Sequence, residues 1–215
     1  MIAWWEGNGA VDPGGVSNHY NLGQDRSVSP FDVSQRLVLS YVFELPFGKG
    51  KTFANSLPKV LNGVVSGWQF NGISTFQTGT PVVIVGLTGA TGLGNIVNRP
   101  NANGQDPSVS HPTLEQWFKT SVFSPAPNYT FGTAPRTLPN VRNPGVQLSD
   151  LSLFKNTYFG PENRFNVQFR FEAFNAFNTP QFGPAGSSLG SGNFGQITYD
   201  SLPPRQLQLA LKFLF

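Results

Sequence analysis

The sequence predicts an all-β fold of antiparallel, up-and-down strands, and three observations carry that expectation. Apolar and polar residues alternate with period two over five segments; charges inside those segments keep to one frame, Arg205 at a strand end excepted; and Gly, Pro, Asn and Ser collect between them. Composition agrees. Among 215 residues there are 24 Gly, 18 Pro and 20 Phe, all poor helix formers. Charged residues make up 12%, about half the usual share for a soluble domain, while aromatics reach 13%. So many aromatics with so little charge exclude intrinsic disorder.

The first segment spans residues 31–45, with Phe31, Val33, Leu37, Leu39, Tyr41, Phe43 and Leu45 in one frame and Asp32, Arg36, Ser40 and Glu44 in the other. A second, over 68–77, sets Trp68, Phe70 and Phe76 against Gln69, Asn71, Thr75 and Gln77. In the third, 146–155, Leu151 and Leu153 oppose Asp150 and Ser152. The fourth, 164–177, alternates Phe165, Val167, Phe169 and Phe171 with Arg164, Gln168, Arg170 and Glu172. The last, 205–215, alternates Leu207, Leu209, Leu211, Phe213 and Phe215 with Gln206, Gln208 and Lys212.

Two further signals point to a membrane. A Lys or Arg aimed into hydrocarbon near the bilayer midplane costs about 2–4 kcal/mol, so lipid exposure demands a charge-free frame; the inner face of a β-sandwich demands the same. The connections are long at 78–145 and 178–204 and tight at 156–163, the alternation of long outer loops and short periplasmic turns found in outer-membrane barrels. Segments 31–45, 146–155 and 205–215 then run toward the periplasm. Connection 46–67 is longer than that pattern expects, and its Val60-Leu61 and Val64-Val65 pairs read as a downward extension of the next strand. Five strands cannot close a barrel, which needs at least about eight. The expected fold is therefore an antiparallel transmembrane β-barrel, incomplete, about five strands of a larger one with long extracellular loops. Residues 1–30 read as an extracellular loop segment and 31–215 as a single partial domain. Unpaired edges at 31–45 and 205–215 predict edge-to-edge association of the isolated piece. The Gly-rich stretches 86–94 and 183–195 read as low-complexity loop.

Other classes fall away. The absence of cysteine excludes disulfide scaffolds, thiol catalysis and Cys-based zinc sites. A net charge of +3, with Lys49-Gly50-Lys51 as its densest basic spot, supplies no footprint for nucleic acid. The start, Met1-Ile2-Ala3-Trp4-Trp5-Glu6-Gly7, lacks the basic and apolar regions of a signal peptide. No apolar run reaches the length of about 18 residues of a membrane-spanning helix. His19 and His111 lack ligand spacing, and Asp12-Pro13-Gly14-Gly15 matches a calcium loop in composition only. With no nucleophile elbow, phosphate loop or paired carboxylates, the expectation is no enzyme, no cofactor and no metal.

Several segments resemble the carboxyl-terminal end of TonB-dependent outer-membrane receptors of the large Oar-like kind, which carry a carboxypeptidase-regulatory-like front domain. They are DVSQRLVLSYVFELPFGKGK from Asp32, GWQFNGISTFQTGTP from Gly67, NRPN from Asn98, NPGVQLSDLSLFKNTY from Asn143, RFNVQFRFEAFNAFNTPQF from Arg164 and RQLQLALKFLF from Arg205. They follow the family's order and cover most of the chain from Asp32 onward. The resemblance implies a barrel of about 22 strands around an amino-terminal plug, importing bulky substrates with inner-membrane energy. Neither a plug nor a box for the energy-transducing protein is present, so import belongs to the implied parent.

On that footing Leu207, Leu209, Leu211, Phe213 and Phe215 match the terminal strand that the barrel-assembly machinery recognises; the competing reading is an ordinary closing strand. Asp32, Arg36, Glu44, Asp150, Arg164, Arg170, Glu172 and Lys212 are the expected lumen-facing charges, in a salt-bridge network or against a plug. Trp68, Tyr41, Phe43, Phe174 and Phe177 suit interfacial girdles or a sandwich core. Trp117, Phe118, Tyr129 and Phe131, in the long loop, are candidates for ligand contact or for pinning the loop to the rim. Expected partners are outer-membrane lipid, the barrel-assembly machinery and, through the parent's plug, the energy-transducing inner-membrane complex; the ligand has no signature. A secreted or cell-surface β-sandwich binding carbohydrate, and a gene fragment without independent function, are the alternatives. In a sandwich, Phe165–Phe171 would pack face to face on Leu207–Phe213; in a barrel wall they lie side by side.

Overall fold

The computed structural model describes residues 18, 20–86 and 98–215. His19, the Asp12–Gly15 stretch, the Met1–Gly7 start and most of the 86–94 Gly-rich run lie outside the described residues. The chain divides into two compact units, discontinuous in sequence: a loop unit of Met1–Gln35, Thr78–Gly145 and Phe182–Ser201, and a sheet unit of Arg36–Gln77, Val146–Gln181 and Leu202–Phe215. This differs from the single partial domain expected over 31–215.

The sheet unit holds strands β1 (Arg36–Glu44), β2 (Trp68–Gln77), β5 (Val146–Phe159), β6 (Phe165–Phe174) and β7 (Gln206–Leu214), in the order β1-β2-β5-β6-β7. Every pairing is antiparallel between chain neighbours, so the sheet is up-and-down. It is not closed, since β1 and β7 each have one neighbour among the described residues. Lengths of 9, 10, 14, 10 and 9 residues meet or exceed the span of about 9–11 that a tilted strand needs to cross a bilayer.

Register sorts the side chains. One row reads Phe43, Phe70, Leu153, Phe171, Leu209 across all five strands, and the neighbouring row on the opposite face reads Val42, Asn71, Ser152, Glu172, Gln208. Phe171 pairs with Leu209, Phe169 with Leu211 and Val167 with Phe213 on adjacent strands. These residues stand side by side in one layer, which is the arrangement of a wall and not of a sandwich.

Three bounds differ from the sequence reading. The first strand begins at Arg36, because the Asp32 N–H closes a turn on the Ser29 carbonyl and its carboxylate is drawn to Arg142. The third runs on to Phe159 and reverses through Gly160–Asn163, where Gly160, Glu162 and Asn163 all take positive φ. The fourth stops at Phe174, since Asn175 and Asn178 adopt left-handed backbone that ends a ladder. Residues Lys59–Val65 form a short helix, α1, rather than a downward extension of β2; Pro58 breaks the strand pattern just before it.

The loop unit is not structureless. Val82, Ile84, Phe118, Val122, Phe123, Ala134, Leu138, Val141, Ala185 and Ile197 form a contiguous buried cluster. A two-residue ladder joins β3 (Asn101–Ala102) to β4 (Phe123–Ser124). Long-range polar contacts replace regular structure elsewhere. Arg99 and Asp25 form a buried ion pair at 2.5 Å, Thr137 Oγ1 donates to the Val28 carbonyl at 2.8 Å, and Arg142 binds Asp32 at 2.7 Å and the Gly79 carbonyl at 2.9 Å. Gly132 lies so close to Arg99 that an added Cβ would fall 1.8 Å from the Arg99 carbonyl oxygen.

Candidate functional site

The chemistry of the sheet unit lies in the contrast between its faces. Arg36, Glu44, Asp150, Arg170, Glu172 and Lys212 all fall in one set of register rows, with Gln69, Asn71, Asn156 and Gln168. The other set contains Leu37, Leu39, Phe43, Phe70, Leu151, Leu153, Phe169, Phe171 and the β7 leucines. Lys155, near the end of β5 that leads into the tight turn, is a charged strand residue in this set and corrects the expectation that strand charges keep to one frame. Two of the eight charges singled out from sequence lie outside the strands. Asp32 belongs to the loop unit, and Arg164 precedes β6 with its guanidinium 5.9 Å from the Phe165 ring centroid.

An ion-pair network was expected on the polar face; the structure builds an amide ladder. Arg170 Nε donates to Gln168 Oε1 at 2.6 Å, Gln168 Nε2 to Asn156 Oδ1 at 2.9 Å, and Asn166 Nδ2 to the same oxygen at 3.2 Å. The Arg170 guanidinium also lies 4.8 Å from the Phe154 ring centroid. Cross-strand geometry explains the substitution. Phe154 is the residue directly opposite Arg170 on β5, so its ring is the nearest cross-strand partner, while Glu172 lies two positions along the same strand.

Leu207, Leu209, Leu211 and Phe213 lie on the apolar face of β7 and are exposed, with Leu211 at 74% and the terminal Phe215 at 87%. At the tight-turn end Phe159, Phe165, Phe213 and Phe215 form a chain of ring contacts with centroids 5.5, 6.1 and 5.9 Å apart. Trp68 meets Phe169 edge-on at 6.4 Å, and Tyr41 stacks on Phe70 at 5.8 Å. Trp68 lies in the row of Lys155, Phe169 and Leu211, while Phe43 shares the row of Phe70, Phe171 and Leu209, farther from the tight turn. Phe174 falls in the polar rows at the opposite end, and Phe177 is exposed beyond β6. Phe159 joins this chain through its register with Phe165, which single-strand alternation does not reveal.

The four loop aromatics separate. Phe118 is fully buried and packs edge-on against Phe123 and Phe194 at 6.1 and 5.3 Å, so it has no surface for a ligand. Trp117 is half-buried, with Nε1 donating to the Arg142 carbonyl at 2.7 Å. Phe131 is half-buried, and Tyr129 is 85% exposed.

The family model described as an outer membrane beta barrel domain matches residues 4–208. The chain belongs to that family. Comparison with curated proteins and with solved structures gives no match. The open, all-antiparallel sheet is thus that of an outer-membrane barrel domain, located in the bacterial outer membrane. Its strands cross the bilayer as barrel wall.

The barrel domain also has a concavity that sequence does not show. A cleft of about 340 Å³ in the loop unit is lined by Ala102, Asp106, Phe123, Leu138 and Asn140 among others. Asp106 accepts the Ser108 backbone N–H at 3.0 Å and its hydroxyl at 2.8 Å, the backbone bond foremost in holding the carboxyl below its ordinary value. Asp32 is likewise lowered, chiefly by the hydrogen bond from Arg142. Arg99 lies within the NRPN segment, but its pairing with Asp25 and the bond from Thr137 to Val28 join distant segments and have no local signal in the sequence.

Proposed function

We propose that the sheet unit is a stretch of the wall of a larger TonB-dependent receptor barrel. The apolar face meets hydrocarbon, the polar face lines the lumen, and β7 carries the assembly signal. The connections forming the loop unit are extracellular and contribute to ligand uptake, with the Asp106 cleft and exposed Tyr129 as contact points. Outer-membrane lipid and the barrel-assembly machinery are its direct partners. The energy-transducing complex reaches it only through the parent's plug, and no catalytic step is assigned.

The observation that carries this reading is the register, which gathers six charged side chains on one face of a single-layer sheet and leaves large aliphatic residues exposed on the other. Such exposure in water costs roughly 25 cal/mol per Å² of apolar surface, and in hydrocarbon it costs nothing. Membrane fractionation of a Gram-negative host expressing the chain behind a secretory leader tests the wall. Recovery in the outer membrane with release only by detergent is expected, and a soluble monomer overturns it. The reading frame upstream of the Met1 codon tests the receptor assignment: a frame encoding a plug supports it, and a frame without one overturns it.

A further inference from the structure

Connection 46–67 is organised against the rule for a helix in water. Helix α1 has seven residues, no side-chain cap and no buried residue. A helix so short is marginal alone and normally depends on burying an apolar stripe. Here the polar side faces the protein. Asn62 Oδ1 accepts the Lys49 backbone N–H at 2.6 Å, and an added Cβ at Gly48 would lie 2.4 Å from Ser66 Cβ. The apolar side faces out, with Val60, Leu61 and Val64 exposed at 80%, 52% and 61%.

Two side chains of the apolar face reach the carboxyl end of this helix. Trp68 Nε1 donates to the Val64 carbonyl at 2.9 Å, and Lys155 Nζ donates to the Ser66 carbonyl at 2.6 Å while lying 5.4 Å from the Trp68 ring centroid. The outward-facing helix thus continues the apolar face of the sheet. Charge points the same way. Residues 46–67 contain Lys49, Lys51 and Lys59 and no Asp or Glu. Lys51 is paired with Glu44, while Lys49 and Lys59 are exposed without an ion-pair partner among the described residues.

We propose that α1, with Trp68 and the flanking lysines, is an interfacial membrane anchor. It lies in the headgroup region of the periplasmic leaflet, with Val60, Leu61 and Val64 in the upper acyl layer and Lys49 and Lys59 against anionic phospholipid. An apolar outer face, an indole at the boundary and lysines beside it are what an interfacial helix requires. The anchor rests on the reading of the apolar face as lipid-facing.

The natural absence of cysteine makes the test direct. Single variants Val60→Cys, Leu61→Cys, Val64→Cys, Leu209→Cys and Ser40→Cys of the full chain carry a fluorophore. Each is reconstituted in phosphatidylcholine vesicles, with or without phosphatidylglycerol, holding nitroxide lipids of shallow or deep label. Sites 60, 61 and 64 are expected to be quenched by the shallow label, site 209 by the deep one, and site 40 by neither. Adding Lys49→Gln or Lys59→Gln should lower the docked-to-undocked ratio of the helix about fivefold each with phosphatidylglycerol present. Water-exposed probes at 60, 61 and 64 beside a quenched site 209 overturn the anchor alone. Shielding of those probes from both lipid and aqueous quenchers points to a protein partner and also overturns it. Equal shallow quenching with and without phosphatidylglycerol overturns the anionic contact. An unquenched site 209 overturns the wall reading and the anchor with it.

Discussion

The two units solve opposite problems with the same residues. Phe118, Leu138 and Ile84 of the loop unit are fully or almost fully buried, whereas Leu209 and Leu211 of the sheet unit are largely exposed. The loop unit gathers apolar side chains into a core and closes it with long-range polar bonds. The sheet unit needs no second layer, because its apolar face is built for hydrocarbon and its polar face is tied by amides. Burial alone therefore says little about which residues hold a membrane protein together; the solvent on each side decides.

The comparison breaks most sharply at the buried ion pair. Arg99→Met should leave Asp25 buried without its cation and destabilise the loop unit by about 3–5 kcal/mol, read by protease susceptibility of residues 98–145. Phe118→Ala should cost about 3–5 kcal/mol in the same assay through the cavity it leaves. Next come the two faces of β7. Leu209→Arg should lower folding stability in vesicles by about 2–4 kcal/mol, whereas Gln208→Arg, one residue away on the polar face, should leave it nearly unchanged. Equal costs at 208 and 209 would sink the distinction between faces. A smaller loss, about 0.5–1.5 kcal/mol per lost bond, is expected for Asn156→Ala, whose amide oxygen accepts from both Asn166 and Gln168.

The smallest effect is on pH. Because Asp32 titrates below its ordinary value of 3.8 in the folded state, its pairing stabilises the loop unit fully above that value and fades as pH falls through the lowered one. Acid unfolding of Asp32→Asn should be correspondingly flatter in that window.

The strand frames were legible because period-two alternation and charge exclusion are local signals, and Leu207 to Phe213 keep in the structure the frame they have in the sequence. The loop unit was not legible. Its core residues come from Gly- and Pro-rich connections without periodicity, and Asp25 meets Arg99 only after the chain has folded back. The Val60-Leu61 and Val64-Val65 pairs of α1 misled for a related reason: valine favours strands, and tertiary contacts through Asn62 and Trp68 override that preference. Phe118 misled because an aromatic in a loop reads as accessible until its neighbours Phe123 and Phe194 are placed.

The outer edges of β1 and β7 turn stability into a mass-action quantity. Each presents a row of backbone N–H and C=O groups with no strand beside it among the described residues, and in hydrocarbon every such group costs several kcal/mol. Any strand that docks there, from a second copy or from elsewhere, stabilises the sheet by a term that grows with its concentration. A melting temperature measured on the isolated chain in vesicles should therefore rise with the protein-to-lipid ratio.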